Sequence, residues 1–340
     1  MHIALTADPE LPVPPKLYGG IERIIDMLAR GLVAEGHEVT LFAHPESATA
    51  GRLIPWRGAS SLSRWDTLKN MALLTRHVVK GRFDIVHSFS RIAYMMPILP
   101  LGVPKLMTYQ REISPRSIVL GHRMSRDTLE FSAISHWMMQ DVKEIGTWHM
   151  VPNGVPLAVY DFSPHVPDDA PLVFLGRIEE IKGPHLAIEL AKKTDSKLVI
   201  AGNIPEEHQS WHEKFVAPHI DGEQIQYIGP VDDQQKNALL GAARAFLMPI
   251  LWEEPFGIVM AEAMACGTPV IGTNRGAVPE VVVDGQTGFV RDTLDELVDT
   301  VSQLHTIDRA ACRQRVEQHY SDRAIVKAYL DVYRTMIVQN

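Results

Sequence analysis

This sequence has few cysteines, no long apolar run and no excess of basic residues. Its 2 cysteines, Cys266 and Cys312, are too few for a disulfide framework and match no zinc-binding spacing. No apolar run reaches the roughly 18 residues that a membrane span requires. The 33 Lys and Arg are outnumbered by 41 Asp and Glu, and the net charge of −8 argues against nucleic acid as a partner. An anionic ligand must therefore be bound by a local group of cations.

Several familiar sequence signals are also missing. Residues 1–7 read directly as a strand, so we expect no signal peptide and a cytoplasmic location. No basic run marks a site for anionic lipids, although a basic patch on one folded face, and with it peripheral membrane association, is left open. Neither GxGxxG nor a DxD metal motif is present. His208 and His212 have the i, i+4 spacing of metal ligands but lack a third ligand, so we expect no metal there.

The 340 residues do contain apolar strands that alternate with amphipathic helices along the whole chain. Because a single core stops growing at about 250–300 residues, we expect two domains. The alternation predicts an α/β fold with two doubly wound domains. Residues 156–170 are rich in proline and have no apolar period, which is typical of a linker.

The most informative stretch is Leu251–Gly267, where a polar turn leads into an apolar helix with Glu262 as its one charge. Pro255 suits a first helical turn, which would leave the following amides unpaired at the helix N-terminus. Such amides bind anions, and phosphate is the expected ligand. The amides in question are those of Phe256, Gly257 and Ile258.

The two acids of this stretch, Glu254 and Glu262, need a different explanation. A carboxylate beside a bound phosphate would be repelled, so each must face neutral hydroxyl groups at one end of the anion. A sugar at one end and a ribose at the other would supply those hydroxyls. The simpler alternative is a buried helix with one acidic cap and one solvated glutamate.

Other candidate residues follow predicted strands, at the sheet edge where open α/β sheets bind ligands. The pair Gly19-Gly20 follows the first strand, although it could also be only a tight turn that lets a helix pack. His87 ends a strand over 83–87 and is either a substrate-site residue or a structural histidine. Arg177 and Lys182 flank a turn after the first strand of the second domain, where two cations and a helix N-terminus could neutralise a diphosphate without metal.

These motifs, in this order, resemble the retaining family 4 glycosyltransferases of the GT-B fold. The resemblance covers almost the whole chain and is strongest over residues 172–290. Its Glu-x7-Glu signature is met by Glu254 and Glu262. The other matching motifs are Gly19-Gly20, VPNGV at 151–155, Gly176-Arg177, Lys182-Gly183, EPFG at 254–257 and EAMACGTPV at 262–270.

The resemblance implies two Rossmann-like domains that face each other across a cleft. Residues 1–155 with 321–340 would form the acceptor-side domain, because the final helix returns to it, and residues 156–320 would bind the nucleotide sugar. Arg177 and Lys182 would bind the diphosphate, Glu262 the ribose and Glu254 the donor sugar. The backbone around Gly202, Ile228 and Gly229 would hold the base, and Gly19-Gly20 would close over the diphosphate.

One position departs from the family pattern. Family members usually carry a histidine after the strand that matches residues 105–109, and Gln110 stands there in this chain. Glutamine can hydrogen-bond a sugar hydroxyl but cannot exchange a proton near neutral pH. His87 is the alternative residue for this contact.

The resemblance implies a metal-independent transferase that moves a hexose from a nucleotide sugar, UDP-glucose or another UDP-hexose, to a saccharide or other hydroxylated acceptor. No cofactor is expected. A nucleotide-sugar epimerase and a non-catalytic nucleotide-sugar-binding protein are kept as alternatives, the second because of Gln110. The loops of the first domain carry no recognisable motif for the acceptor. Their arginines either favour an anionic acceptor or only keep the surface solvated.

Overall fold

The structure is a computed structural model that describes residues 1–16, 19–111 and 113–339. The chain forms two compact units. Unit 1 consists of Met1–Asn153 together with the C-terminal residues from Asp322 onward, and unit 2 is Gly154–Ser321.

Each unit contains one sheet in which all neighbouring strands are parallel. The strands of unit 1 are β1 (His2–Thr6), β2 (Glu38–Ala43), β3 (Arg52–Pro55), β4 (Ile85–Ser88), β5 (Lys105–Tyr109), β6 (Leu129–Ala133) and β7 (Trp148–Met150). Those of unit 2 are β8 (Leu172–Leu175), β9 (Leu198–Ala201), β10 (Ile225–Tyr227), β11 (Ala245–Met248), β12 (Val270–Thr273) and β13 (Gly288–Arg291).

Helices connect the strands in both units. They are α1 (Gly20–Ala34), α2 (Arg64–Gly81), α3 (Pro115–Ser125), α4 (His136–Met139), α5 (Pro184–Lys193), α6 (Gln209–Phe215), α7 (Asp233–Gly241), α8 (Ile258–Ala265), α9 (Val278–Val281), α10 (Leu294–Val301), α11 (Arg309–His319) and α12 (Asp322–Gln339). Single turns of 3-10 helix include Glu180–Lys182, which follows β8.

The strand orders place a crevice at the same point of each sheet. They are β3-β2-β1-β4-β5-β6-β7 in unit 1 and β10-β9-β8-β11-β12-β13 in unit 2. The order reverses between β1 and β4 and between β8 and β11, and ligands bind outside the carboxyl ends of the strands at such a reversal. Because helices cover both faces, strands such as β1 are apolar and buried over most of their length. The predicted doubly wound α/β domains are confirmed.

The terminal helix α12 belongs to unit 1, where it packs against α1. Gly31 of α1 faces Val326 so closely that a Cβ atom on residue 31 would lie 2.3 Å from a Val326 methyl carbon. Tyr329 and Tyr333, also on α12, are fully buried. The apolar stripe that predicted this helix is therefore the face that joins it to unit 1.

The segment 156–170 is not a free linker. Its backbone is bonded to the rest of unit 2, since the Ser163 N–H donates to the Cys266 carbonyl over 3.0 Å and Arg309 donates to the Ser163 carbonyl over 2.7 Å. Tyr160 is 4% exposed. Proline removes backbone donors and periodicity but does not prevent an extended segment from packing on a neighbouring surface.

Candidate functional site

The polar turn before α8 is held by a neighbouring loop of unit 2. The Glu253 carboxylate accepts the N–H of Gly276 over 2.5 Å, and the Ala277 N–H donates to the Glu254 carbonyl over 2.8 Å. Gly276 has a φ of 54°, and a Cβ atom there would lie 2.4 Å from the Glu254 backbone. Only glycine allows this approach, which fixes where the Glu254 side chain begins.

The helix of this stretch begins three residues later than the proline predicted. Helix α8 starts at Ile258, and Gly257 precedes it as the N-cap with a left-handed φ of 76°. Pro255 lies outside the helix, and Phe256 is 2% exposed with its ring edge-on to Tyr320. The prediction that Phe256 belongs to the first helical turn is wrong. The amides at the start of α8 are those of Ile258 and the residues after it.

Glu254 and Lys182 form an ion pair in unit 2. The Lys182 Nζ lies 2.7 Å from Glu254 Oε2 and 4.4 Å from the centroid of the Trp252 ring. The two charged side chains are 18% and 11% exposed. The structure thus brings together Lys182, which was predicted to bind the diphosphate, and Glu254, which was predicted to bind the sugar. Both lie at the carboxyl edge of the sheet between β8 and β11.

Arg177 is held beside the same edge by Glu179, a residue that the sequence did not single out. The guanidinium of Arg177 lies 2.8 Å from Glu179 Oε1, and Glu179 Oε2 lies 3.3 Å from His208 Nε2. Glu179 is 3% exposed, whereas the Arg177 side chain is 38% exposed. The buried Glu179 carboxylate therefore orients the Arg177 guanidinium, which solvent can reach. A guanidinium that binds an anionic ligand must be both oriented and accessible.

Glu262 has two partners in unit 2 that sequence reasoning missed. Tyr160 donates to Glu262 Oε1 over 2.6 Å, and Lys236 Nζ lies 2.5 Å from the same oxygen. Glu262 is 7% exposed. Burial is the largest effect that raises the pKa of Tyr160 far above its ordinary range, so this hydroxyl acts as a donor. The alternative interpretation of a solvated glutamate is ruled out, because the carboxylate is buried and compensated by a cation.

The loops after β8, β9 and β10 converge at Gly202, where a Cβ atom would lie 1.7 Å from the carbonyl oxygen of Gly176, the residue before Arg177. The Gly202 N–H donates to the Gly229 carbonyl over 2.8 Å, and the Tyr227 hydroxyl donates to the Gly202 carbonyl over 2.8 Å. Ile228 is 47% exposed although it is a large apolar residue. Backbone groups beside an exposed apolar side chain form a surface suited to a flat ring.

At the carboxyl edge of unit 1, Gly19 is the N-cap of α1 and Gly20 is its first residue. Two carboxyl groups lie near this turn. Glu22 is 5% exposed, and burial raises its pKa. Burial, followed by repulsion from Glu10, raises the pKa of Asp8 to about 6. The glycine pair is thus the start of the helix, with two partly desolvated acids beside it.

His87 is a structural residue of unit 1. Its Nδ1 lies 2.5 Å from the Tyr333 hydroxyl, and its Nε2 lies 2.6 Å from Thr108 Oγ1. The ring is 0% exposed, and burial lowers its pKa to about 3. A neutral ring with both nitrogens engaged cannot contact a sugar. The structure therefore supports the structural interpretation and removes His87 from the catalytic candidates.

Gln110 is positioned by Asn153, which lies within the VPNGV motif. Gln110 Nε2 donates to Asn153 Oδ1 over 2.8 Å, and Asn153 Nδ2 donates to Gln110 Oε1 over 2.8 Å. Asn153 is 4% exposed. This reciprocal amide pair fixes the orientation of Gln110 at the end of β5, which is the position where the family usually carries histidine.

Metal-ligating groups do not cluster in residues 1–16, 19–111 and 113–339, because no three His, Cys, Asp or Glu residues there could hold an ion. Cys266 and Cys312 are buried and unpaired, and burial raises the pKa of each thiol to about 12. Across the described part of the chain, no helix is both long enough and apolar enough to cross a membrane.

Two family models match the chain. The model described as "Glycosyltransferase Family 4" matches residues 18–159, and the one described as "Glycosyl transferases group 1" matches residues 161–319. The glycogen synthase of Mycobacterium tuberculosis is 24% identical over 94% of this chain and 92% of its own length. A phosphatidyl-myo-inositol mannosyltransferase of Propionibacterium freudenreichii is 26% identical over 81% and 78%.

Solved structures share the fold over nearly the whole chain. A glycosyltransferase from Rickettsia africae has a TM-score of 0.81 at 19% identity and covers 100% of this chain and 99% of its own. Anabaena HepE, solved in complex with UDP and glucose, has a TM-score of 0.74 at 16% identity and covers 98% and 100%. With one model matching each half, the chain belongs to the retaining family 4, or group 1, glycosyltransferases of the GT-B fold.

Proposed function

We propose that this glycosyltransferase moves a hexose from UDP-glucose or another UDP-hexose to a hydroxyl of a saccharide or similar acceptor, with retention of configuration and without a metal ion. The observation that carries the proposal is the Lys182–Glu254 ion pair of 2.7 Å at the start of α8. In this proposal, Lys182 is the cation that would bind phosphate and Glu254 is the carboxylate that would bind the sugar, eight positions before the buried Glu262.

In this proposal the donor spans the site of unit 2 from end to end. Arg177, Lys182 and the first amides of α8 bind the diphosphate, because together they supply fixed positive potential. The backbone at Gly202 and Gly229, with the exposed Ile228 beside it, holds the base. This arrangement uses the loops after β8, β9 and β10, which the structure brings together.

The two glutamates then bind the two sugars of the donor. The contacts that Tyr160 and Lys236 make are both to Glu262 Oε1, so we assign Oε2 to the ribose hydroxyls. The incoming diphosphate attracts Lys182, which frees Glu254 to accept hydrogen bonds from the transferred hexose. Its negative charge would also stabilise the positive character that develops at the anomeric carbon.

The transfer step needs no basic side chain from unit 1. The bond between the anomeric carbon and the β-phosphate oxygen breaks, and the acceptor oxygen forms the new bond on the same face. The proton of the acceptor hydroxyl goes to the departing phosphate oxygen. Gln110, held by Asn153, would contribute a hydrogen bond to the sugar and no proton, since its amide does not titrate.

The names of the relatives, a glycogen synthase and mannosyltransferases, support transfer of a hexose. Support for UDP as the nucleotide comes from the HepE structures, which contain UDP with glucose or UDP-glucose. The donor can be identified by thermal unfolding with a panel of nucleotide sugars. A ligand at 100 times its dissociation constant stabilises the folded protein by about 2.7 kcal/mol. We expect UDP-hexoses to give the largest shift, and a larger shift from another nucleotide would replace UDP.

Metal independence is tested by donor hydrolysis in excess EDTA, where we expect full activity. Arg177→Ala and Lys182→Ala should each weaken UDP binding by about 1.5–3 kcal/mol, the value of a hydrogen bond to a charged group. Lys197→Ala is the matched control, because Lys197 pairs with Asp169 on the surface of unit 2 and should not affect UDP. Loss of turnover on chelation that only Mg²⁺ or Mn²⁺ restores would contradict the proposal.

A further inference from the structure

The outward side of helix α2 in unit 1 carries large apolar side chains in water. The helix buries Asn70, Leu73, Leu74 and Val78 against its unit. On the opposite side Trp65 is 76% exposed, Leu68 is 49% exposed and Val79 is 66% exposed. Leu62, just before the helix, is 89% exposed. Single exposed apolar residues are ordinary, but Trp65, Leu68 and Val79 belong to one helix face.

Their positions form a stripe with a row of cations beside it. At 3.6 residues per turn, Trp65, Leu68, Ala72 and Val79 lie within about 60° of one another around the helix axis. Lys69, Arg76 and Lys80 occupy the next roughly 40° of the same exposed side. Asp66 is the one acid of the helix, and it pairs with Lys69 over 2.9 Å. The exposed face of α2 is therefore apolar along one edge and basic along the other.

The basic row of α2 lies in the unit that has a positive net charge. Unit 1 has 20 Lys and Arg against 16 Asp and Glu, a net charge of +4, whereas unit 2 has 13 against 25, a net charge of −12. The overall charge of −8 conceals this division. The basic row thus lies on the one unit of the chain that an anionic surface would attract.

We propose that the exposed face of α2, defined by Trp65, Leu68, Lys69, Arg76, Val79 and Lys80, together with Leu62 just before it, docks unit 1 on a bilayer that contains anionic lipid. The apolar stripe would enter the interface between head groups and acyl chains, where tryptophan is favoured. The three cations would reach the lipid phosphates, as long basic side chains do at such interfaces. The charge complementarity selects an anionic membrane over a neutral one.

The docking surface is independent of the donor site, because all its residues are in unit 1 and the proposed UDP ligands are in unit 2. It also leaves the buried face of α2 unchanged. Variants on this surface should therefore alter membrane binding without altering folding or UDP affinity. A failure of the membrane proposal would leave the proposed transfer reaction untouched.

The test is co-sedimentation of the full chain with vesicles of phosphatidylcholine and phosphatidylglycerol at 3:1, compared with phosphatidylcholine alone. We expect binding to the anionic vesicles at least roughly tenfold tighter, and weakening as salt rises from about 0.1 to 0.5 M. The triple variant Lys69→Gln/Arg76→Gln/Lys80→Gln should lose at least roughly tenfold in affinity. Trp65→Ser/Leu68→Ser should also bind more weakly.

The matched control is Lys192→Gln/Lys197→Gln/Lys214→Gln, which removes the same charge from exposed positions of unit 2 and should bind as the wild type does. Unchanged melting and UDP binding would show that the α2 variants are folded. Equal binding to both vesicle types, or normal binding by the α2 triple variant, would overturn the proposal. A dimer in size-exclusion chromatography that Trp65→Ser/Leu68→Ser dissociates would overturn it too, because the face would then belong to a second copy.

Discussion

Lys182 Nζ lies 2.7 Å from Glu254 Oε2, although the two residues are 72 positions apart in the chain. Both side chains are largely withdrawn from water, so neither charge can lose its partner without a replacement. A diphosphate offers that replacement to Lys182, and the hydroxyl groups of a hexose offer it to Glu254. The pair thus links phosphate binding to release of the carboxylate that we assign to the sugar.

The two glutamates should respond differently to substitution. Glu254→Gln leaves Lys182 free for phosphate, so UDP affinity should stay the same or rise slightly while turnover falls. Glu262→Ala removes the proposed ribose ligand and should weaken UDP and UDP-hexose alike, by about 1.5–3 kcal/mol. Calorimetry with UDP and initial rates with the donor measure both effects. Equal loss of UDP affinity in the two variants would show that Glu254 does not act on the sugar side.

The fold could be predicted because both sheets are parallel and buried. In such sheets each strand reads as a short apolar run, and the helix between two strands has its own 3.6-residue period. Strand β4, for example, was expected over 83–87 and spans Ile85–Ser88. The start of α8 was misplaced because Pro255 is compatible with a first helical turn, whereas the left-handed Gly257 after it sets the actual boundary.

The partners of Glu262 could not be predicted from local pattern. Tyr160 lies 102 positions from Glu262 in a proline-rich segment without periodicity, and Lys236 lies 26 positions away on α7. Only the packing of residues 156–170 onto the rest of unit 2 brings the Tyr160 hydroxyl to the carboxylate. Glu179 was missed although it is only two positions from Arg177, and Asn153 was noted only as part of the VPNGV motif. Each acts on a residue of the site from a buried position, which the sequence does not reveal.

Tyr160 should contribute to nucleotide binding through Glu262. Tyr160→Phe removes one of two donors to Glu262 Oε1 and should weaken UDP by about 0.5–1.5 kcal/mol with little change in turnover. In the double variant with Lys236→Gln, the losses should not be additive, because both residues bond the same oxygen. Tyr320→Phe is the control, since this buried tyrosine of unit 2 donates to the Glu280 carbonyl and not to Glu262. UDP calorimetry that shows equal effects of Tyr160→Phe and Tyr320→Phe would mean that Tyr160 acts only on stability.

The contact of α12 with α1 should depend on the absence of a side chain at residue 31. Gly31→Ala would gain up to about 1 kcal/mol of helix propensity, but its Cβ would lie 2.3 Å from Val326 Cγ2. We expect a net destabilisation of about 1–3 kcal/mol in urea unfolding, because the two helices must separate. Val326→Ala removes the clashing methyl, so Gly31→Ala should cost less in that background than in the wild type. Additive losses would show that α12 does not pack here.

His87 should affect the stability of unit 1 and not the chemistry. The folded pKa of His87 is about 3, below the ordinary value of 6.5, so its stabilising effect is complete above pH 6.5. As the pH falls from 6.5 toward 3, the unfolded chain binds a proton that the folded protein does not. Stability should then decrease by about 1.4 kcal/mol per pH unit, and His87→Gln should remove this part of the slope.

Two measurements on His87→Gln distinguish a structural role from a catalytic one. They are urea unfolding at a series of pH values and the pH profile of donor hydrolysis. We expect the variant to be less stable at pH 7, because Gln cannot reproduce both ring contacts to Tyr333 and Thr108. The hydrolysis profile should keep its shape, since a neutral, fully buried ring does not titrate with the substrate. His165→Gln, at an exposed position of unit 2, should change neither measurement. A variant with normal stability but a displaced pH profile would return His87 to the active site.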